Sequence, residues 1–565
     1  MTTRPKPRRG SRQSTSPYSH EPKPRQERED GRLPEYNHNG HAVTPGIKPA
    51  GESGRRGFHP LHFFKVCWNS SCTASKYVNV LWPFVPAAIA LHFARPQEHL
   101  WIFILSYIAM VPSANLIGFA GQELARKLPT VFGVVLETTL GSLVEIILFI
   151  VLLKLNGGDG SGVPIIQAAI LGSILANLLL CIGLCFFFGG LRREDQTFHD
   201  VVSDTGSNLM LVAGMALVIP VIFSNALTGR ENLTVERLEA EVLRISRATA
   251  IVLLVAYAVY IFFQMKSHHG LYDDILEADE EQDADRHRDL AKPKLTLTES
   301  IIALAFAITF VSMMAVFLVQ NIEWMVEHRH VPDAFLGLIL IPLVEKAAEH
   351  ITAVDEAWDN QMNFALSHVL GASIQTALLN TPLVVIVGWG LGIDMSLNFE
   401  MFHAVVLILA ILVVGGFLRD GKSNYLEGAL CFFVYVLIAV AAFYYPNPVH
   451  GQEGEGSTGC SAFWLPVHST FSIFCFLVCG FGYEFWSERS FRASKEPKDS
   501  KDLKASKEVK ESKELKAFKE TMGKTGPSAQ LARREAPACK EASAQQDQLA
   551  HPGTPPPSSL LSQPH

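Results

Sequence analysis

Long apolar runs, each close to the roughly 20 residues that cross a bilayer, dominate the middle of the chain. The first set of windows lies at about 77–95, 99–120, 130–154, 163–189, 206–225 and 246–265. An acidic stretch separates it from a second set at about 299–320, 333–354, 363–391, 400–418 and 426–445. The pattern predicts an all-α polytopic membrane protein with eleven spans, one leading helix followed by two groups of five.

Lysines and arginines in short loops predict which loops share a side of the membrane. The basic short loops are 126–127, 192–193 and 419–422, and they alternate with basic-poor loops such as 156–162. The loop 226–247 is an exception, because its arginines are balanced by glutamates. The basic loops are therefore predicted to be cytosolic. Since five is odd, the second group enters the membrane inverted relative to the first, an arrangement typical of secondary transporters.

The two ends and the middle of the chain have a different composition. Residues 1–75 are rich in Arg, Pro, Ser and Gly, which predicts a disordered basic cytosolic arm. The acidic linker 266–298 joins the segment with the leading helix and the first group of five, 77–265, to the segment with the second group, 299–446. Within 447–490, an apolar window at 468–486 either forms a twelfth span or belongs to a lumenal extension. Residues 491–565 are a Lys-rich low-complexity tail.

Composition supports a membrane protein and argues against several other classes. The chain has 565 residues, of which 48% are hydrophobic and 18% charged, which is too apolar for an ordinary soluble protein with polar tails. The net charge of −7 sums basic ends and an acidic linker, so the total says nothing about nucleic acid. We expect the lipid bilayer as partner and no nucleic acid. Nine cysteines show no metal-binding spacing, and we expect no cofactor. The start lacks the apolar core of a signal peptide, so the first span would direct insertion.

Two glutamates lie inside apolar runs, Glu145 in the first group of helices and Glu349 in the second. An ionised carboxylate in a spanning helix costs about 2.5 to 3.5 kcal/mol on insertion scales, so such residues usually mark an ion or proton pathway. Their recurrence in similar surroundings indicates a duplicated transporter. Both are candidate ligands of a transported metal ion.

Each group also contains a second polar segment rich in small residues. Ser173 and Asn177 lie in GSILANL, and Ser373 and Gln375 lie in GASIQTAL. Ca²⁺ takes six to eight oxygen ligands, and these side chains would add neutral oxygens to the two carboxylates. No cluster of thiols or imidazoles favours a softer metal. The alternative interpretation is hydrogen bonding between closely packed helices.

Several of these segments resemble the Ca²⁺/H⁺ antiporters of the cation/Ca²⁺ exchanger superfamily, over about 100–445. The segments are GFAGQELARKL, GVVLETTLGSLVEII, GSILANLLLCIG, FLGLILIPLVEKAAEHITAV, GASIQTALLNTP and SNYLEG. The resemblance implies eleven spans with two inverted five-helix repeats, and the loading of Ca²⁺ into the vacuole by the proton gradient. It implies that Glu145 and Glu349 bind the ion and that His350 is the histidine of the second acidic motif.

The chain departs from the family pattern beside both glutamates. The family motifs read close to NATFGNAVE and GNAAEH, whereas this chain has Ser142 and Lys346 at the positions of the amides. Each is three residues before its glutamate and should share a helix face with it. An ammonium has three donors and no acceptor, so Lys346 cannot ligate a metal ion. If charged, it repels the cation and pairs with a nearby glutamate.

The chain also has acids at Glu137 and Glu345 that are additional to the family motifs. Three functions stay open. The acids could neutralise Lys346 and preserve Ca²⁺/H⁺ antiport into the vacuole. Alternatively, Lys346 lowers the charge of the site, which would favour exchange of Na⁺ or K⁺ for H⁺, or it snorkels away from the site. A third function is that of a transport-inactive membrane regulator. We expect no enzyme, because no nucleophile–base pair or phosphate loop is recognisable.

The two glutamates suggest a mechanism in which cation and proton compete. Deprotonated carboxylates bind the cation and protonated ones release it, so the two travel in opposite directions as the repeats alternate access. His350 could relay protons or serve as a structural hydrogen bonder. The acidic stretch 273–289 lacks the spacing and the glycine of an EF-hand loop, which favours a solvated linker over a Ca²⁺ sensor.

Overall fold

The computed structural model describes residues 47–48, 51–156, 162–228, 234–284 and 286–446. All of them belong to one unit, Met1–Leu465. Residues 1–46 of the predicted arm lie outside the described residues. So does the second unit, Pro466–His565, with the window at 468–486 and the tail at 491–565.

The described chain is almost entirely helical. Up to the linker, the helices and one short strand are α1 (Pro60–Asn69), α2 (Thr73–Val78), α3 (Phe84–Ala94), α4 (His99–Ala125), α5 (Thr130–Asn156), α6 (Gly162–Gly190), β1 (Gln196–Thr197), α7 (Asp200–Leu227) and α8 (Val235–Ser267). From the linker onward they are α9 (His269–Gln282), α10 (Arg286–Ala291), α11 (Leu297–Val319), α12 (Ile322–Arg329), α13 (333–358), α14 (Met362–Leu391), α15 (Met401–Leu418), β2 (Lys422–Ser423) and α16 (Tyr425–Phe443).

Ten helical segments in the described residues are long and apolar enough to cross a membrane, which confirms a polytopic all-α membrane protein. They follow the predicted windows closely, although α7 and α8 begin earlier than expected, with polar first turns. The predicted window at 333–354 corresponds to α13, which is not among the ten. Every 18-residue stretch of α13 contains Glu345, Lys346 and Glu349, and these charges exceed what a simple apolar span carries.

The prediction of disorder over residues 1–75 is wrong for Pro60–Asn69, because these residues form the helix α1. Its sequence, PLHFFKVCWN, contains Phe63 and Val66, which are both buried. The backbone N–H of His59 donates to Glu299 Oε1 at 3.0 Å, which attaches the helix to the start of α11. The helix was not predicted because basic residues surround its short apolar face, which is able to pack.

The loops predicted to be cytosolic lie together on one face of the molecule. The two-residue strands β1 and β2 pair in antiparallel register, Gln196 with Ser423, and so join the loops that follow α6 and α15. Arg192 lies 3.6 Å from Asp359 in the turn between α13 and α14. Lys127 donates to the carbonyl of Leu295 at 2.9 Å, which links the loop after α4 to the linker. The grouping expected from the basic residues is therefore present.

The linker helix α9 contacts the first turns of two long helices. Asp273 Oδ1 accepts a hydrogen bond from the backbone N–H of Val131 in α5 at 3.1 Å. Asp279 Oδ2 accepts from the N–H groups of Asn363 and Phe364 in α14, at 2.8 and 3.1 Å. Carboxylates satisfy the free N–H groups of a helix start and interact favourably with its dipole. The acidic linker thus caps one helix from each half of the chain.

Glycines let α6 and α13 approach to backbone contact. A Cβ atom on Gly172 would lie 2.7 Å from the carbonyl carbon of Leu338 and 2.7 Å from Pro342 Cγ. Reciprocally, a Cβ on Gly337 would lie 2.5 Å from Ala168 Cβ. Small residues at such crossings replace side-chain packing by direct contact of the helices, as is common in membranes. This contact brings the polar residues of α6 next to the charged residues of α13.

Candidate cation and proton site

Three helices that meet near Glu145 contain a π-helical turn. These turns are Ala176–Cys181 in α6, Leu336–Leu340 in α13 and Thr376–Asn380 in α14. A π turn interrupts the regular hydrogen bonds of a helix and is frequent at functional sites. Side chains bond to carbonyls at two of them: Tyr107 donates to Leu340 O at 2.9 Å, and Thr381 donates to Thr376 O at 2.7 Å. Two of the three irregular turns are thus contacted by polar side chains.

Lys346 lies between the two predicted ion-binding glutamates. Its Nζ is 2.9 Å from Glu145 Oε2 on α5 and 3.4 Å from Glu349 Oε2 on α13. The side chains of Lys346 and Glu145 are 1% and 0% exposed, whereas that of Glu349 is 23% exposed. The expected pairing of Lys346 with a glutamate is therefore present, and it involves both. A charged lysine does not snorkel to the surface here.

Glu145 also receives hydrogen bonds from α14. Thr376 Oγ1 and Asn380 Nδ2 donate to Glu145 Oε2 at 2.9 and 3.1 Å, and both residues are fully buried. These two residues are not among those predicted from the sequence. Their signal was present, because they are polar residues four apart in an apolar run, on one helix face.

Glu345 of α13 and the histidine beside Glu349 both face α6. Ser173 Oγ donates to Glu345 Oε1, and both residues are buried. His350 Nε2 lies 3.1 Å from Asn177 Oδ1. The structure thus brings the predicted pairs Ser173–Glu345 and Asn177–His350 together across one helix interface. Hydrogen bonding between helices, the alternative given for the neutral side chains, accounts for both contacts.

Several buried polar atoms around these residues make no hydrogen bond with any residue that the structure describes. They are Ser142 Oγ, Glu145 Oε1, Asn177 Nδ2, Glu345 Oε2, Gln375 Nε2 and Asn380 Oδ1. Buried polar groups in proteins are nearly always paired, so a concentration of unpaired ones needs an explanation. Four of the six are oxygens, the ligand type that hard cations prefer. The arrangement suits a site whose polar atoms acquire partners when cargo or water enters.

Three predicted residues are placed differently from the central group. Glu137 Oε2 faces His368 Nε2 at 3.4 Å instead of facing Lys346. Ser373 Oγ donates to Val369 O within its own helix at 2.8 Å, which is a structural bond. Gln375 lines a crevice with Thr138, Ser367 and Gly371, between α5, α8 and α14.

Glu145, Glu345, Glu349 and Lys346 together carry two formal negative charges when all four are ionised. Within the described residues, no group of three or more His, Cys, Asp or Glu side chains already has the geometry to hold a metal ion. Lys346 occupies the space between the two glutamates that would do so. Cation binding through both carboxylates therefore requires Lys346 to move away from at least one of them.

This combination of long apolar helices and buried acids with oxygen donors defines the class of membrane cation exchangers. The chain belongs to the sodium/calcium exchanger protein family, whose family description matches residues 98–266 and 299–444. The matched ranges include every residue of the central group and omit most of the linker. The family expected from the motifs is therefore confirmed.

Proteins similar in sequence to this chain include transporters from fungi, plants and bacteria. The chain is 34% identical over 378 residues to the vacuolar calcium ion transporter of Schizosaccharomyces pombe, covering 67% of this chain and 87% of that one. It is 34% identical over 373 residues to vacuolar cation/proton exchanger 2 of Oryza sativa subsp. japonica, covering 66% and 82%. It is 33% identical over 386 residues to the Ca²⁺/H⁺ antiporter of Synechocystis, covering 67% and 100%.

The fold is similar to that of a solved exchanger. The structure of native YfkE matches with a TM-score of 0.52 at 26% identity, covering 65% of this chain and 100% of that one. A selenium-substituted form, described as a Ca²⁺/H⁺ antiporter protein, matches with a TM-score of 0.51 at 25% identity and the same coverage. The helical architecture of this chain is thus an exchanger fold, whereas its division into two inverted repeats stays a prediction.

Proposed function

We propose that this protein is a Ca²⁺/H⁺ antiporter of the vacuolar membrane, which moves Ca²⁺ from the cytosol into the lumen in exchange for protons. The observation that carries the proposal is Glu145, a fully buried carboxylate held by Thr376, Asn380 and Lys346 at the meeting point of irregular helices. The names of the relatives in fungi, plants and bacteria support the ion, the coupling and, for two of them, the membrane.

Glu145 and Glu349 are proposed to alternate between cation and protons. With both deprotonated, a cation that displaces Lys346 is held by two carboxylates and the nearby neutral oxygens. Protonation of the carboxylates removes their charge and releases the cation, so the two cargoes exclude each other. When the cation displaces Lys346, the adjacent Glu345 balances the charge of the lysine. The cycle uses Ca²⁺ and H⁺ as cargo and needs no cofactor.

Charge-neutralising variants test the proposal directly. In sealed vesicles with an imposed pH gradient, Glu145→Gln and Glu349→Gln should abolish Ca²⁺-dependent proton flux, because an amide can neither release a proton nor supply a full negative charge. Glu323→Gln, at an exposed position of α12, is the matched control and should keep the wild-type rate. Wild-type rates in both site variants would refute the assignment.

A second function, exchange of Na⁺ or K⁺ for H⁺, is favoured by one observation. Lys346 already supplies a positive charge to both carboxylates, which leaves less negative charge for a divalent ion. A panel of Ca²⁺, Na⁺ and K⁺ on the wild-type protein separates the two functions, since each predicts proton flux with a different ion. If none of the three ions drives proton flux, the result would support the transport-inactive regulator instead.

A further inference from the structure

Outside the central site, a histidine on α14 is held between two carboxylates from two other helices. Nδ1 of His368 lies 2.9 Å from Glu356 Oε2 on α13, and Nε2 lies 3.4 Å from Glu137 Oε2 on α5. Both ring nitrogens therefore face an acid. We call these residues, Glu137, Glu356 and His368, the histidine cluster.

The histidine cluster lies about two helical turns from the central site, on a single side of it. Glu137 precedes Glu145 by eight residues and Glu356 follows Glu349 by seven, so each is about 10 to 12 Å away along its helix. His368 precedes Gln375 by seven residues. The same side carries the linker helix α9, which caps α5 and α14, and the turn between α13 and α14. It is the side predicted to face the cytosol.

The histidine cluster is partly accessible, whereas the core of the central site is not. The side chains of His368, Glu137 and Glu356 are 12%, 18% and 14% exposed, against 0% for Glu145. Glu349, at 23%, is the exposed member of the central group. Glu349 and the three residues of the histidine cluster are thus all more exposed than Glu145, and the histidine cluster lies on one side of it.

Few other ionisable groups surround His368. Glu349 of α13 and Asp279 of α9 are the next acids that interact with the histidine cluster, and Cys181 of α6 lies near Glu356. The helix α7 meets α14 through Gly206 against Leu370, an apolar contact. The basic groups nearest the histidine cluster are Arg126, which interacts with Glu137, and Lys346 of α13, whose ammonium contacts Glu145 and Glu349. The imidazole can therefore exchange protons with carboxylates and water.

We propose that His368 is a proton relay that carries protons between Glu349 and the cytosol, with Glu137 and Glu356 as its partners. Imidazole can accept a proton on one ring nitrogen and release another from the second, so it transfers a proton while the side chain stays in place. A proton released from Glu349 when a cation binds is taken up at the histidine cluster, and another leaves it for water. The balance is one proton in and one proton out. This inference rests on the proposed antiport.

The test measures Ca²⁺-driven proton release from sealed vesicles, cytosolic face outward, in weakly buffered medium. His368→Gln keeps hydrogen-bonding capacity but cannot be protonated, and it should slow release by about tenfold or more. Excess imidazole in the outer medium should restore the rate, because a mobile base replaces the missing one. Ca²⁺ binding by the purified variant should stay within about twofold of wild type, a change of less than about 0.5 kcal/mol.

His403→Gln is the matched control, because His403 is a buried histidine on α15 with no part in the histidine cluster. If His368→Gln does not fold, Glu137→Gln carries the same test, since it removes the negative charge that faces Nε2 and leaves the contact at Nδ1. A full rate in weak buffer, or a slow rate that imidazole does not relieve, overturns the relay and leaves a structural ion pair. A wild-type protein that releases no protons with Ca²⁺ contradicts the antiport itself, which is a separate outcome.

Discussion

Lys346 acts as a cation that is covalently attached to the site. Its ammonium contacts Glu145 at 2.9 Å and Glu349 at 3.4 Å in a fully buried position. Removing one partner of a buried ion pair typically costs about 3 to 5 kcal/mol, because the other charge is left uncompensated. Glu145 therefore needs either Lys346 or a bound cation when it is ionised. The competition between the two should set the affinity for the transported ion.

Replacing Lys346 by asparagine should make the protein more dependent on Ca²⁺. Without Ca²⁺, the melting temperature of Lys346→Asn should fall, since Glu145 loses its ion pair. With Ca²⁺ it should rise more than that of wild type, and the apparent affinity should increase at least about tenfold, or about 1.4 kcal/mol. Tryptophan fluorescence during heating, at several Ca²⁺ concentrations, measures both.

Lys346→Met is the matched control for that experiment. It removes the same charge without adding an oxygen ligand, so the difference between the two variants isolates the contribution of the amide. A Ca²⁺ response identical to wild type in both variants would show that Lys346 does not compete with the cation.

The charged residues of the site and the neutral residues Ser173 and Asn177 could be predicted from the sequence, whereas the neutral partners of Glu145 were missed. Glu145, Glu349 and Lys346 were recognisable because a charge in an apolar run is costly and therefore conspicuous. Thr376 and Asn380 are ordinary residues in a membrane helix, and only the position of α5 shows that they face Glu145. His368 was missed for the same reason, since its two partners come from α5 and α13.

At the level of the helices, the contact between α6 and α13 determines how closely Ser173 and Glu345 can meet. Gly172→Ala would place a Cβ 2.7 Å from a backbone carbonyl carbon, which cannot rotate away. We expect a loss of about 1 to 3 kcal/mol in stability, as for other overpacked positions, together with slower transport. Gly416→Ala on α15 meets nothing within 4 Å and should have little effect. Equal melting temperatures would contradict this account of the contact.

The π turns were not predictable from the sequence. Residues Thr376–Asn380 read as part of a regular apolar helix. Thr381 bonds to the carbonyl of Thr376, and Thr376 donates to Glu145 on α5, so the irregular form is accompanied by a contact from another helix. Helix existence and length follow from hydrophobicity over about 20 residues, but a local change of hydrogen-bond pattern depends on contacts from other helices.

The junction between the linker and α11 should make stability depend on pH. Lys294 precedes α11 and is buried, and desolvation with the nearby Arg126 lowers its pKa from 10.5 to about 7. Between pH 7 and 10.5 the unfolded chain therefore holds a proton that the folded chain lacks. Stability should rise with pH in that window, because the unfolded state binds more protons.

Melting temperatures between pH 7 and 9 check this expectation. The rise seen in wild type should be smaller in Lys294→Met, which cannot be protonated. Lys266→Met, at an exposed position at the end of α8, should keep the wild-type slope. Parallel slopes in all three proteins would show that Lys294 does not titrate in this range.

For the whole molecule, the positive charges of the short loops predicted correctly which loops lie together, and they also predict which face is cytosolic. A membrane-impermeant maleimide added from the cytosolic side should label Gly270→Cys in α9 and leave Asn398→Cys, before α15, unlabelled. Both positions are exposed, so accessibility alone does not separate them. Labelling of Asn398→Cys from the cytosolic side would reverse the topology, and with it the direction assigned to Ca²⁺.

The linker connects the two halves of the chain by hydrogen bonds as well as covalently. Because α9 caps both α5 and α14, the helix with Glu145 and the helix with Thr376 and Asn380 share one support. Composition identified this segment only as acidic and polar. Its role as a cap depends on where α5 and α14 begin in space, which the order of residues does not reveal.

The lysine between the two glutamates also has an electrical consequence. With Lys346 charged and the three acids deprotonated, the unloaded group has a net charge of −2, so binding either one Ca²⁺ or two protons brings it to zero net charge. Both loaded forms would then cross the membrane potential without work, whereas each uncompensated charge costs about 2.3 kcal/mol per 100 mV. On the proposed function, Lys346 would make the turnover rate insensitive to voltage, and a neutral residue in its place would make the same exchanger respond to it.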